Sequence, residues 1–240
     1  MVLDLLSLIG IPATIAVVEG ARHQKAEEKE EQQQYRMKDF HIDVYCNSNS
    51  RKRYQVHNSM VVLKDHKLYL AAKDSMTSQP KPLRTGERAL HPFTGFYLDF
   101  SVDQSQPGSS VTFSRLNKTK IPGLVSTIPS SDPNRKTLNW IYLDRSTYEV
   151  KYGAREEAQG HILGPWNWTD DEKGLTLEGW EGFVAVEVVR GIDGGRSLWQ
   201  LYFDRNDDKM DGKLSGKRIL EVSLERRIID DDDEENVTRE

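Results

Sequence analysis

The chain has 240 residues, of which 37% are hydrophobic and 30% charged, and it carries a net charge of −5. This composition describes a soluble protein with a sizeable core, able to hide roughly 70–75% of its unfolded surface, and excludes a wholly disordered chain. Its one cysteine, Cys46, excludes an intramolecular disulfide, so nothing in the chain is built for an oxidising compartment.

Residues 2–18 are apolar apart from Asp4 and a few small polar residues, with Pro12 inside the run and Glu19 just past it. The positive start of a signal peptide is missing, and the run is short for a membrane span. Pro12 can open a helix, because its missing N–H costs nothing there. That helix is expected to run to about Lys38, with a docked apolar first half and a projecting polar second half. Beyond it, Phe40, Ile42, Val44 and Cys46 alternate with His41, Asp43 and Tyr45. This period of two predicts a strand whose first set faces the core and whose second set faces outward or lines another surface. Met60–Leu63 and Leu68–Ala71 flank the polar Lys64-Asp65-His66-Lys67 and read as a hairpin. Further strands are expected at 95–100, 123–128, 138–143, 148–152, 182–189, 198–203 and 218–226. Residues 73–92 and 101–122, rich in Pro, Gly and Ser, read as loops, and no internal repeat is visible.

Strands at this spacing, with no amphipathic crossover helix between them, predict a mainly β domain: an antiparallel β-sandwich or barrel with an N-terminal helical arm. The expected divisions are an arm over 1–38, one β domain over 39–229 and an acidic, disordered tail over 230–240. Charge is uneven along the chain. Residues 39–153 hold 16 Lys/Arg against 10 Asp/Glu, a balance of +6, and residues 154–240 hold 12 against 22, a balance of −10. The overall acidity argues against a nucleic-acid binder.

The densest chemistry lies at Trp166, Trp168, Trp180 and Trp199, with Glu178 and Glu181 flanking Trp180. Indole faces and two carboxylates can form a ligand cleft or, at the right separation, an acid–base pair for glycoside hydrolysis. The competing expectation is that these aromatics simply fill a β core. His161 and His91 sit beside aromatic runs and are candidates for buried hydrogen bonds. No histidine or cysteine pair has zinc spacing, so neither a metal nor a cofactor is expected. Cys46 shares parity with the core residues, which speaks against a nucleophile. Asp204, Asn206 and Asp208 imitate a calcium loop, but Lys209 stands where its glycine belongs. Arg51-Lys52-Arg53 is a short basic cluster expected at an exposed turn.

Residues 164–172 (Gly-Pro-Trp-Asn-Trp-Thr-Asp-Asp-Glu) and 177–183 (Leu-Glu-Gly-Trp-Glu-Gly-Phe) form a pattern that other segments extend, among them 91–97, 138–142 and 220–226. In this it resembles a family of uncharacterised proteins of filamentous fungi over most of the chain. The resemblance implies a fungal source and brings no activity, cofactor or catalytic residue.

With no catalytic constellation in the sequence, the expected function is non-enzymatic. The chain reads as a cytoplasmic binding domain for a protein partner or a small apolar molecule. Two alternatives stay open: a cofactor-independent cyclase or isomerase with a pocket in a barrel, and a peripheral membrane protein anchored by residues 1–18.

Overall fold

The computed structural model describes residue 31 and residues 34–82, 90–103, 118–129, 136–191, 196–210 and 212–229. The chain divides into two units, Met1–Lys38 and Asp39–Glu240. In the first, residues 31 and 34–36 are helical. The apolar run at 2–18 and the acidic tail lie outside the described residues. Among the described residues, no helix is long and apolar enough to cross a membrane.

Among its described residues the second unit holds, besides a 3-10 turn, thirteen strands and one short α-helix. They are β1 (Phe40–Tyr45), β2 (Ser59–Lys64), β3 (Lys67–Ala72), β4 (Gly95–Asp103), β5 (Lys118–Pro129), β6 (Lys136–Leu143), β7 (Val150–Gly153), α1 (Arg155–Ala158), β8 (Trp166–Trp168), β9 (Leu175–Leu177), β10 (Phe183–Val189), β11 (Leu198–Phe203), β12 (Ile219–Glu221) and β13 (Ser223–Ile228). All described pairings are antiparallel. Followed through hydrogen-bonded neighbours, β3, β2, β1, β4, β5, β6 and β7 close on themselves, because β7 pairs back to β3. Of the two expected architectures, sandwich or barrel, the closed path makes it a barrel.

Local chemistry sets the turns. Asp65 and His66 both take positive φ (47° and 60°), the backbone that a two-residue hairpin needs to follow strand twist. Pro122 sits inside β5, opposite Asp99 of β4 and ahead of the stretch of β5 that pairs with β6. A residue without an N–H is tolerated there because its free side has no ladder to complete. The loop expected over 101–122 is accordingly shorter: β4 runs to Asp103 and β5 begins at Lys118.

Three hairpins, β2–β3, β6–β7 and β10–β11, meet around one axis. Lys67 pairs with Lys151, Glu149 bridges Tyr202, and Gln200 pairs with Tyr69. Each strand thus offers one residue to its neighbour and the residue two positions on to its other neighbour. Lys67, Glu149 and Gln200 are equivalent, as are Tyr69, Lys151 and Tyr202. Between them Leu68, Val150 and Leu201 point inward, fully buried, and seal one end of the barrel. The fold repeats where the sequence does not, because what recurs is the pairing geometry and the inward apolar position rather than residue identity.

Further pairings lie along the closed path and beside it, with β8 and β9 forming a separate two-stranded sheet. β1 pairs with β4 and β13, β4 with β5, β8 with β9, and Gly174 at the head of β9 bridges Glu225 of β13. Phe40, Ile42, Val44 and Cys46 all face the core, as their period predicts, packed with Leu124, Trp166, Leu177, Phe183 and Leu224. His41 and Asp43 do not reach solvent: they line a second, buried layer. The β8–β9 hairpin, absent from the sequence-based strands, has only three residues per strand, too few to establish a period. The expected strand over 218–226 is divided into β12 and β13, with Val222 between them donating its N–H to Phe183 O.

Candidate functional site

The tryptophans are engaged from within. Trp166 is fully buried and stacks on Phe183, with ring centres 6.0 Å apart. Trp180 sets its edge against Phe203 at 5.4 Å. Trp168, on the same side of β8 as Trp166 and nearer the barrel mouth, meets Tyr97 edge-on at 5.2 Å. Its indole face is covered by Arg226, whose guanidinium lies 4.2 Å from the ring centre. The same guanidinium is 5.8 Å from Phe40 and 5.9 Å from Tyr97, and it donates to Glu172 O. Arg226 has the parity of the buried Leu224 on β13, and its guanidinium caps this group of aromatic rings.

The two carboxylates part company. Glu178 forks onto Arg205, accepting from Nε at 2.6 Å and from Nη2 at 2.7 Å. This clasp joins the turn after β9 to the turn after β11. Glu181 stays exposed, and its pKa is raised by the partial desolvation of its carboxyl and by the nearby charges of Asp171 and Glu225. His161 stacks on Tyr142 at 5.0 Å and accepts from the Arg145 N–H. His91 hydrogen-bonds Thr127 O through Nε2 at 3.2 Å. Both histidines hold backbone in place, and neither lies in a metal-binding group; among the described residues there is no cluster of three such ligands.

Cys46 is buried, and His57 approaches its backbone N–H at 3.2 Å. The Asp204 turn is satisfied by its own chain: the carboxylate accepts from the N–H groups of Asp208 and Lys209.

Two built polar clusters escaped sequence reasoning, because their members come from different hairpins. At the axis, Glu149 is buried and accepts from Lys67 Nζ at 2.7 Å and Tyr202 OH at 3.1 Å, with Lys151 Nζ 3.3 Å away. Burial works to raise the Glu149 pKa, but Lys67, Gln200 and Tyr202 outweigh it and pull it down to about 2. Lys151 reaches Asp144 at 2.7 Å, and Asp144 also accepts from Ser146 and Thr147. On the flank of β1, Asp43 accepts from Lys73 at 2.7 Å and sits 3.3 Å from Arg227, while neighbouring His41 donates to Phe93 O at 2.8 Å. Burial, the largest influence, lowers the His41 pKa.

The third cluster faces solvent. The segment after β1 carries Arg51, Lys52 and Arg53 and ends in a 3-10 turn, Arg53–Gln55. Within that turn Tyr54 is 68% exposed, whereas Gln55 is buried. The Gln55 side-chain oxygen accepts from Ser197 N–H and Trp199 Nε1, and its backbone oxygen accepts from Arg196 at 2.6 Å. Glu187 lies beneath, nearly inaccessible, hydrogen-bonded by the Ser197 hydroxyl. It stands 3.8 Å from Lys52 Nζ and 3.9 Å from Arg218 Nη1. Arg190 is also exposed and donates to Gly216 O. The sequence signal for this corner was the Arg-Lys-Arg triplet; its arginine neighbours at 190, 196 and 218 come from distant segments.

Three hairpins around one axis, closing a barrel whose interior is its own side chains, define a trefoil of β units. A model described as the fungal beta-trefoil domain matches residues 16–230, and the chain belongs to that family. The resemblance to a fungal family holds at that level. No curated protein and no solved structure matches the chain.

Proposed function

We propose that this chain is a non-enzymatic binding domain that engages a protein partner through its outer surface. One observation carries the reading: the barrel is filled by its own large side chains, Trp166, Phe40, Phe93, Phe183 and Phe203 among them, each fully buried. A packed interior leaves recognition to the outside. The polar groups that resemble chemistry are also spoken for. Glu178 is held by Arg205, Glu149 by Lys67, Asp43 by Lys73, and the face of Trp168 by Arg226. The outer surface, by contrast, presents Tyr54, a rigid amphipathic ring of the kind that anchors protein interfaces.

The test is site-directed photo-crosslinking in the host cell, with a photoreactive phenylalanine analogue at position 54 and, as control, at the exposed position 156. A discrete protein adduct from position 54 and none from 156 is expected. Adducts of equal intensity from both positions, or none from either, overturn the reading.

A further inference from the structure

We infer that the corner around Tyr54 is a docking site for an acidic peptide segment; this rests on the proposed protein-binding role and names the chemistry of the partner.

The charges are assembled from three parts of the fold. Arg51, Lys52 and Arg53 come from the β1–β2 connection, Arg190 and Arg196 flank the β10–β11 turn, and Arg218 precedes β12. Among the described residues the one carboxylate that contacts this group is Glu187, and it is buried beneath it. Glu187 serves as the floor, because a buried carboxylate fixes the height and direction of Lys52 and Arg218 while presenting almost no negative surface outward. Arg196 is fixed differently, by its bond to Gln55 O, and burial works against its charge. Gln55 itself is clamped by Ser197 and Trp199. Arg53 is held by its bond to Cys46 O and Lys52 by its bond to the Ser197 hydroxyl, so several of the cations are held in place before any ligand arrives, which reduces the ordering entropy that binding must offset.

This geometry fits carboxylates. Guanidinium groups are planar forks that take carboxylates two bonds at a time, and five of the six cations here are exposed arginines. Tyr54, exposed beside Arg53, supplies a flat contact for an apolar residue of the segment, and Gln55 Nε2 donates to the Tyr54 hydroxyl at 3.2 Å. Nucleic acid fits less well. The chain is net −5, and residues 154–240 are acid-rich, so a long polyphosphate meets repulsion beyond the corner while a short peptide does not.

The experiment measures fluorescence anisotropy of a labelled Asp/Glu octapeptide titrated with the full chain, alongside a Ser/Asn octapeptide and a single-stranded oligonucleotide. The acidic peptide is expected to bind, and to weaken as salt rises from about 0.05 to about 0.15 M, as exposed charge pairs are screened. The double variant Arg51→Glu/Arg190→Glu is expected to lose about ten-fold or more in affinity, since opposed charges become like charges. Both residues are exposed, and melting temperature checks that the variant is folded. Tyr54→Ser is expected to weaken binding as well, and Lys120→Glu to leave it unchanged. Tighter binding of the oligonucleotide than of the peptide, or equal peptide affinity for the wild type and the double variant, overturns the proposal. So does the absence of peptide binding. If a protein adduct still forms at position 54 in that case, only the acidic chemistry is wrong and the binding role stands.

Discussion

Arg226 covers the indole of Trp168 at 4.2 Å, and this contact turns an inward-facing charged residue into part of the barrel's packing. An arginine at a core parity normally costs desolvation. Here the charge is met by three aromatic rings and a backbone carbonyl, and the stem fills the mouth between β13 and β8.

Replacing it should therefore destabilise through both charge and volume. Arg226→Ala is expected to cost about 1–2 kcal/mol, since a half-buried cation–π contact contributes about 1 and the stem adds packing. Urea denaturation measures the cost, and acrylamide quenching of the indoles should rise as Trp168 loses its cover. Unchanged stability and unchanged quenching would show that the mouth does not depend on this side chain.

Leu68, Val150 and Leu201 meet where the three hairpins converge, so their truncations should couple. Leu201→Ala is expected to cost about 3 kcal/mol, the usual range for a buried leucine that leaves a cavity. Leu68→Ala should cost a similar amount. The double variant should depart from additivity by about 0.5 kcal/mol or more, because both line one void. Additive costs would place the two residues in independent packing environments.

These examples mark what the sequence carries and what it hides. The strand at Phe40–Tyr45 was legible because six consecutive residues alternate, and the β2–β3 turn because Asp65-His66 is polar between apolar runs. The axis was not legible. Lys67, Glu149 and Gln200 are equivalent in space but differ in charge, and no pattern of residue types links them. The tryptophans stood out in the sequence, yet their role depended on Arg226, Phe183 and Phe203, which lie tens of residues away. The basic corner was half visible as Arg51-Lys52-Arg53. Its other half needed the fold to bring β10, β11 and β12 beside that segment.

Cys46 offers a clean probe of core integrity. It is fully buried at the end of β1, so a thiol reagent should label the native chain far more slowly than a free thiol, and fully once denaturant is added. Mass spectrometry of the native protein after brief exposure is the measurement. Labelling at the free-thiol rate would place the side chain outside the core.

The Glu149 cluster sets the acid limb of stability. Its carboxyl sits at about 2 in the folded chain against an ordinary value of 4.5, because Lys67, Gln200 and Tyr202 overcome the effect of burial. A folded pKa below the unfolded one means the fold binds its proton more weakly, so Glu149 contributes in full above about pH 4.5 and loses that contribution as pH falls toward about 2. Asp144, whose carboxyl is held below its ordinary 3.8 by Lys151, Ser146 and Thr147 against the effect of burial, acts in the same direction at lower pH. His41 is depressed by burial, so stability begins to fall below its ordinary 6.5, before the carboxylates protonate. Glu181 is raised and opposes this trend weakly. Stability measured against pH should thus decline gently from about pH 6.5 and steeply below about 4.5. Glu149→Gln should lower stability at pH 7 by about 2 kcal/mol, since it strands Lys67 beside a neutral group, and should flatten the slope below pH 4.5 while leaving the limb between 6.5 and 4.5 in place. Lys67→Met should reproduce the loss at pH 7. If Glu149→Gln keeps the full acid slope, the cluster at the axis is not what the fold loses in acid.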